Sequence, residues 1–269
     1  MALRNVFWDA REMLDEGIMP SILAIGDSWF WYPFPGGSLV NRLGKLVQSR
    51  EHNILAVGHN GAEAYDYAFG KHEKIVRTNL KLYGDSLSAV FVSGGGNDFA
   101  GFNDLRPLLL HDCSRAQSPE QCFNQAPGGE LPRLMEKIQN SYETLIGRIL
   151  MHCHSPGFTR VFLHNYDYAI PSGTGVFGGN ATWLRAALDD ARVPVEYQAS
   201  CIRYILDNFT AALEEIARNN SNIVAFVNSA GTLGAADWAN ELHPTPAGFE
   251  KIATQRWKPV LQRYGLAAE

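Results

Sequence analysis

The sequence predicts an α/β fold: an open parallel sheet of five strands with helices on both faces. Two observations carry this. Short β-rich apolar runs alternate along the chain with longer amphipathic stretches, the pattern of strands joined by crossover helices. The chain is also long and apolar enough, at 269 residues and 46% hydrophobic, to bury a sizeable core as one domain over residues 1–269. The first strand is read at Ser21 to Ile25, which ends in Gly26-Asp27-Ser28. The amphipathic stretch Ser38 to Arg50 follows as a helix, then a strand over Asn53 to Val57 and a helix over roughly Ala62 to Leu82. Ala89 to Ser93 is the third strand, and Leu131 to Cys153 the next long helix. Arg160 to His164 and Asn222 to Val227 complete the strands, separated by a helix over Tyr197 to Asn219. The last helix, Pro246 to Tyr264, opens on prolines that suit a helix entry. Two long excursions, about 99–130 and 168–194, follow the third and fourth strands, where lids and substrate walls are expected.

Three short segments carry chemistry. Gly26-Asp27-Ser28 presents a hydroxyl where the first strand stops, Gly94-Gly95-Gly96-Asn97-Asp98 follows the third strand, and Asn240-Glu241-Leu242-His243 precedes the last helix. Each alone is an ordinary turn, since Asp, Ser and Asn bond their own backbone there. Their order and their placement at the carboxyl ends of strands, where open α/β sheets keep their functional crevice, set them apart. Together they resemble the blocks of the SGNH (GDSL-like) serine hydrolase family. On that resemblance Ser28 stands at the nucleophile position, Gly61 of His59-Asn60-Gly61-Ala62 at the glycine position, Asn97 at the asparagine position and His243 at the base. The sequence departs at Asn240, three residues before His243, where the family has an aspartate. The resemblance implies a flavodoxin-like three-layer α/β/α sandwich and hydrolysis of carboxylic esters of esterase or lipase type, with removal of acetyl groups from carbohydrate next.

These residue types suit that chemistry. A serine hydroxyl attacks a carbonyl once an imidazole takes its proton, and the oxygen that becomes negative needs fixed donors. The backbone N–H groups of Ser28 and Gly61 and the amide of Asn97 would supply three. A third group must orient the imidazole and stabilise its charged form. Asn240 can accept a hydrogen bond from the ring but brings no charge, and a flipped amide would favour the wrong tautomer. Asp237 could supply a carboxylate if its loop folds back, and a backbone carbonyl could serve a Ser-His dyad, but Asn240 is the preferred third member beside Ser28 and His243. Glu241 is too close to His243 along the chain for that position, while Asp27 and Asp98 are expected to cap turns and brace the site. The rings of Trp29, Phe30, Trp31, Tyr32 and Phe34 would face an apolar acyl group or a sugar, with alternate rings packing beneath the first helix.

Other function classes find little support. The net charge of −5 and the absence of any Lys/Arg run argue against a nucleic-acid partner. No stretch approaches the ~20 apolar residues of a membrane span, and Met1 to Gly17 carries charges where a signal peptide is apolar, which favours the cytoplasm. The four cysteines form no Cys-x-x-Cys pattern, His152-Cys153-His154 points its side chains apart, and the glycine run lacks a P-loop ending, so neither metal nor nucleotide cofactor is called for. Cys113 and Cys122 flank a polar loop, either bridged, which would imply an oxidising compartment, or as free thiols. The expected partner is a small-molecule ester. A binding protein with weakened turnover and an acyltransferase remain as alternatives to the hydrolase.

Overall fold

A computed structural model describes residues 4–31, 37–155, 157–175 and 182–269. Among them six strands form one parallel sheet: β1 (Val6–Phe7), β2 (Ile22–Gly26), β3 (Ile54–Gly58), β4 (Ala89–Ser93), β5 (Arg160–His164) and β6 (Val224–Val227), in the order β1-β3-β2-β4-β5-β6. The central strands are apolar at nearly every position because both of their faces are covered. The register places Gly58, Gly26, Ser93, His164 and Val227 in one row at the carboxyl ends, so the loops that leave β2 to β6 emerge from a common edge.

The helices are α1 (Ala10–Asp15), α2 (Ser28–Trp31), α3 (Leu39–Gln48), α4 (Ala64–Ala68), α5 (Glu73–Tyr83), α6 (Phe102–Leu105), α7 (Glu130–His152), α8 (Arg185–Asp190), α9 (Val195–Asn219), α10 (Pro246–Ile252) and α11 (Lys258–Arg263). α4, α5, α7 and α9 pack in one layer, and α3, α10 and α11 in the other. The three-layer α/β/α sandwich therefore holds. None of the helices among the described residues is long and apolar enough to cross a membrane.

Three details depart from the sequence expectation. The sheet has six strands rather than five, because β1 is a two-residue edge strand too short to show a pattern. The helix expected from Ala62 to Leu82 is two helices. The Gly70 N–H turns back to the Tyr65 carbonyl, and a Cβ at Gly70 would stand 2.8 Å from the Asp66 carboxylate, so the chain breaks there. The C-terminal helix is interrupted by a π turn over Ala253–Trp257. Pro259 lacks an N–H and its ring would collide with the carbonyl four residues earlier, and a wider turn just ahead of it relieves both problems.

The excursions are partly ordered by α6 and α8. The first is clasped by backbone pairing of Leu109 with Phe123, and Cys113 and Cys122 inside it are free, buried thiols.

Candidate active site

β2 ends in Gly26, and the Asp27 N–H still bonds the Ser93 carbonyl of β4 at 3.0 Å before the chain turns into α2. Ser28 is the first residue of that one-turn helix. The Asp27 carboxylate caps it by accepting the Trp29 N–H at 3.0 Å, and also accepts the Tyr166 hydroxyl at 2.5 Å. Burial pushes the Asp27 carboxyl up to about 7 against these donors.

His243 sits in the loop before α10, held by pairing of Trp238 with Pro244 and by the Ala239 N–H on the His243 carbonyl at 2.9 Å. Thr245 caps α10 by accepting the Gly248 N–H, with Pro246 at the first helical position. The Ser28 Oγ lies 2.8 Å from His243 Nε2, and His243 Nδ1 lies 3.0 Å from Asn240 Oδ1. That same Oδ1 accepts the backbone N–H groups of Leu242 and His243, each at 2.9 Å. These two donors fix the amide orientation: a flipped Asn240 would turn its NH2 group against two N–H groups. The oxygen therefore faces the ring, His243 carries its proton on Nδ1, and Nε2 is left to accept from the serine. Burial lowers the His243 pKa to about 4, so the ring is neutral at ordinary pH. Asp237 is engaged elsewhere: both carboxylate oxygens lie 2.7 Å from Lys251 Nζ, and one accepts the Gly234 N–H.

Asn97 follows β4 through Gly95, whose φ of +103° and contact with the Phe209 ring, 2.7 Å from any Cβ there, admit only glycine. Its Nδ2 donates to the Ala62 carbonyl at 3.0 Å and leans toward Asp27 Oδ2 at 3.4 Å. Ala62 closes the turn begun at His59, whose N–H bonds the Gly26 carbonyl, so this turn is tied both to the Ser28 turn and to Asn97. Gly61 lies in it with φ +75° and is exposed. Asp98 is buried, caps α4 through the Ala64 N–H at 2.8 Å, and lies near Lys137.

Ser28 and Asn97 line a pocket whose remaining wall is mainly apolar, with Phe99, Leu184, Ile202 and Leu206 prominent. Of the rings after Ser28, Trp29 and Phe30 are buried. The Trp29 indole donates to the Leu242 carbonyl at 3.0 Å, which ties the serine turn to the histidine loop. Tyr32 and Phe34 lie outside the described residues. Sequence reasoning assigned no role to Tyr166, Asp167 or the carboxylate of Glu241. Asp167 accepts the N–H groups of Gly231, Thr232 and Leu233 and so fastens the loop after β6 to the one after β5. Among the described residues no cluster of His, Cys, Asp and Glu is arranged to hold a metal ion.

The fold is shared with solved structures of a candidate GDSL-like lipase, an extracellular lipase and a carbohydrate acetylesterase family member. A candidate GDSL-like lipase from Parabacteroides merdae superposes with a TM-score of 0.53 at 13% identity, over 92% of this chain and 97% of the other. An extracellular lipase from Streptomyces rimosus gives 0.51 at 18% identity over 91% and 99%, and a carbohydrate acetylesterase family member from Sinorhizobium meliloti gives 0.51 at 12% over the same shares. At these identities the likeness is one of fold. No protein-family model and no curated protein matches the chain.

Proposed function

We propose that this protein is a serine hydrolase that cleaves carboxylic esters through an acyl-enzyme, with Ser28 as nucleophile, His243 as base and Asn240 as the residue that orients the imidazole. The observation that carries the reading is the continuous chain from Ser28 Oγ to His243 Nε2 at 2.8 Å and from His243 Nδ1 to Asn240 Oδ1 at 3.0 Å, with the Asn240 oxygen fixed by two backbone donors. As Ser28 attacks the ester carbonyl, its proton passes to Nε2. The negative carbonyl oxygen is received by the Ser28 and Gly61 N–H groups and the Asn97 amide, which exchanges its long contact with Asp27 for the substrate. His243 then gives the proton to the leaving alcohol. Water, deprotonated by the same ring, releases the acid. The apolar wall beside Ser28 favours the acyl chain of a lipid-like or simple ester over an acetylated sugar as the group bound there, and lipases are among the proteins that share the fold.

The test is hydrolysis of p-nitrophenyl esters from acetyl to long acyl, together with labelling by a fluorophosphonate, on the protein and on Ser28→Ala. Hydrolysis and labelling that both vanish in the variant support the reading. A protein that neither hydrolyses nor labels is instead a binding protein on this fold.

A further inference from the structure

Glu241 stands between Asn240 and His243, yet its carboxylate turns away from the imidazole. It is completely buried. One oxygen accepts the N–H groups of Gly173 at 3.0 Å and Arg185 at 3.1 Å; the other accepts those of Trp183 at 2.8 Å and Leu184 at 3.0 Å. The Glu241 N–H in turn donates to the Thr174 carbonyl at 3.2 Å. One side chain thus gathers both described ends of the excursion after β5 and fastens them to the loop that carries His243. A buried carboxylate is costly unless its lone pairs are met, and four backbone donors meet them.

What is fastened there matters for the site. Leu184 is part of the pocket wall, next to Ile202 and Leu206 of α9. The Trp183 ring stands edge-on to the His243 ring, with centroids 6.3 Å apart and an interplanar angle of 80°. Two of the four donors to Glu241 are the backbone N–H groups of these same two residues. We infer that Glu241 is a positioning residue that sets acyl-chain selectivity, by locking Leu184 as part of the wall of the acyl pocket and Trp183 against the His243 ring, from within the histidine loop. The inference rests on the ester-hydrolase reading for its substrate, but the lock itself does not depend on catalysis.

Glu241→Gln is the incisive change, because it keeps the shape and presents an NH2 group to two of the N–H donors. Kinetics on p-nitrophenyl acetate and p-nitrophenyl octanoate give the first readout. The expected result is a fall of about tenfold in kcat/KM for the octanoyl ester, carried by KM, with the acetyl ester changed by less than about threefold. Leu184→Ala, which removes the wall directly, should shift the chain-length profile in the same direction. Calorimetric binding of octanoate to the intact protein and to Glu241→Gln gives a readout that needs no turnover, with an affinity loss of about tenfold expected. Equal losses for both esters, or octanoate affinity unchanged while the melting temperature falls, would make Glu241 a purely structural brace and overturn the inference. A protein without esterase activity whose octanoate affinity still depends on Glu241 would refute the hydrolase reading and leave the lock standing.

Discussion

Replacing Asn240 by aspartate puts the proposed mechanism under its sharpest strain, since the change adds a charge and almost no volume. The Asn240 oxygen already accepts Leu242 N, His243 N and His243 Nδ1, all within 3.0 Å, so a carboxylate oxygen would inherit the same three donors and the same ring orientation. The tautomer is already correct in the protein as it stands. Only the electrostatic part of an aspartate's contribution is therefore missing. Two unit charges about 4 Å apart attract by about 4 kcal/mol at an effective dielectric constant near 20. In full this would raise the imidazole pKa by about 3 units, from about 4 toward about 7. With roughly half of that charge developed as the serine attacks, the gain is about 2 kcal/mol, or about thirtyfold in kcat/KM at alkaline pH.

The two effects oppose each other in acid. Near pH 5 the variant would have only about 1% of its base form, whereas the lower pKa keeps most of the Asn240 protein competent. The pH profiles should therefore cross, near about pH 5.5 on these figures. The assay is kcat/KM for p-nitrophenyl butyrate across that range, read at the isosbestic wavelength of the product. Parallel profiles, or an acid limb in the unaltered protein near the ordinary histidine value, would refute the argument that a neutral Asn240 leaves His243 a weak base.

Four further outcomes follow from the same geometry. Ser28→Ala should abolish ester hydrolysis and fluorophosphonate labelling while leaving the melting temperature within about a degree or two, since it removes one hydroxyl. Asn97→Ala should lower kcat by about 10²–10³ with little change in KM, the loss typical of one oxyanion donor, as single-turnover kinetics would reveal. Asp237→Asn, which loses the Lys251 pair and not a partner of His243, should cost about 1 kcal/mol of stability in urea titration and leave kcat within about twofold. Asp27 keeps its proton up to about pH 7 in the fold but only to about 3.8 when unfolded, so its contribution to stability is full below 3.8 and lost as pH rises through 7. Relative to the unaltered protein, Asp27→Asn should thus gain a few kcal/mol between about pH 4 and about pH 8 in urea titrations, and a difference independent of pH would contradict that.

What the sequence discloses and what it conceals have a common physical origin. The strands are legible because a buried parallel strand is apolar at nearly every position, and the positions of Ser28, Asn97 and His243 are legible because each lies in a turn with its own local grammar. β1 is too short for any pattern. The break at Gly70 hides inside an amphipathic stretch whose periodicity continues across it. Residue types alone favour the carboxylate of Asp237, whereas the position three residues before His243 favours Asn240. In the structure the Asn240 oxygen, held by the N–H groups of Leu242 and His243, faces His243 Nδ1, while Lys251 holds Asp237. Tyr166 reaches Asp27 across 139 positions and Trp29 reaches Leu242 across 213, with no signal at either end. Glu241 is the extreme case, because all four of its partners are main-chain groups. Every residue except proline carries the same donor, so no composition or motif can announce which four will converge. Candidate site residues can be read from their types and turns, whereas the backbone donors that hold them emerge only when the loops of the sheet's carboxyl edge are brought together.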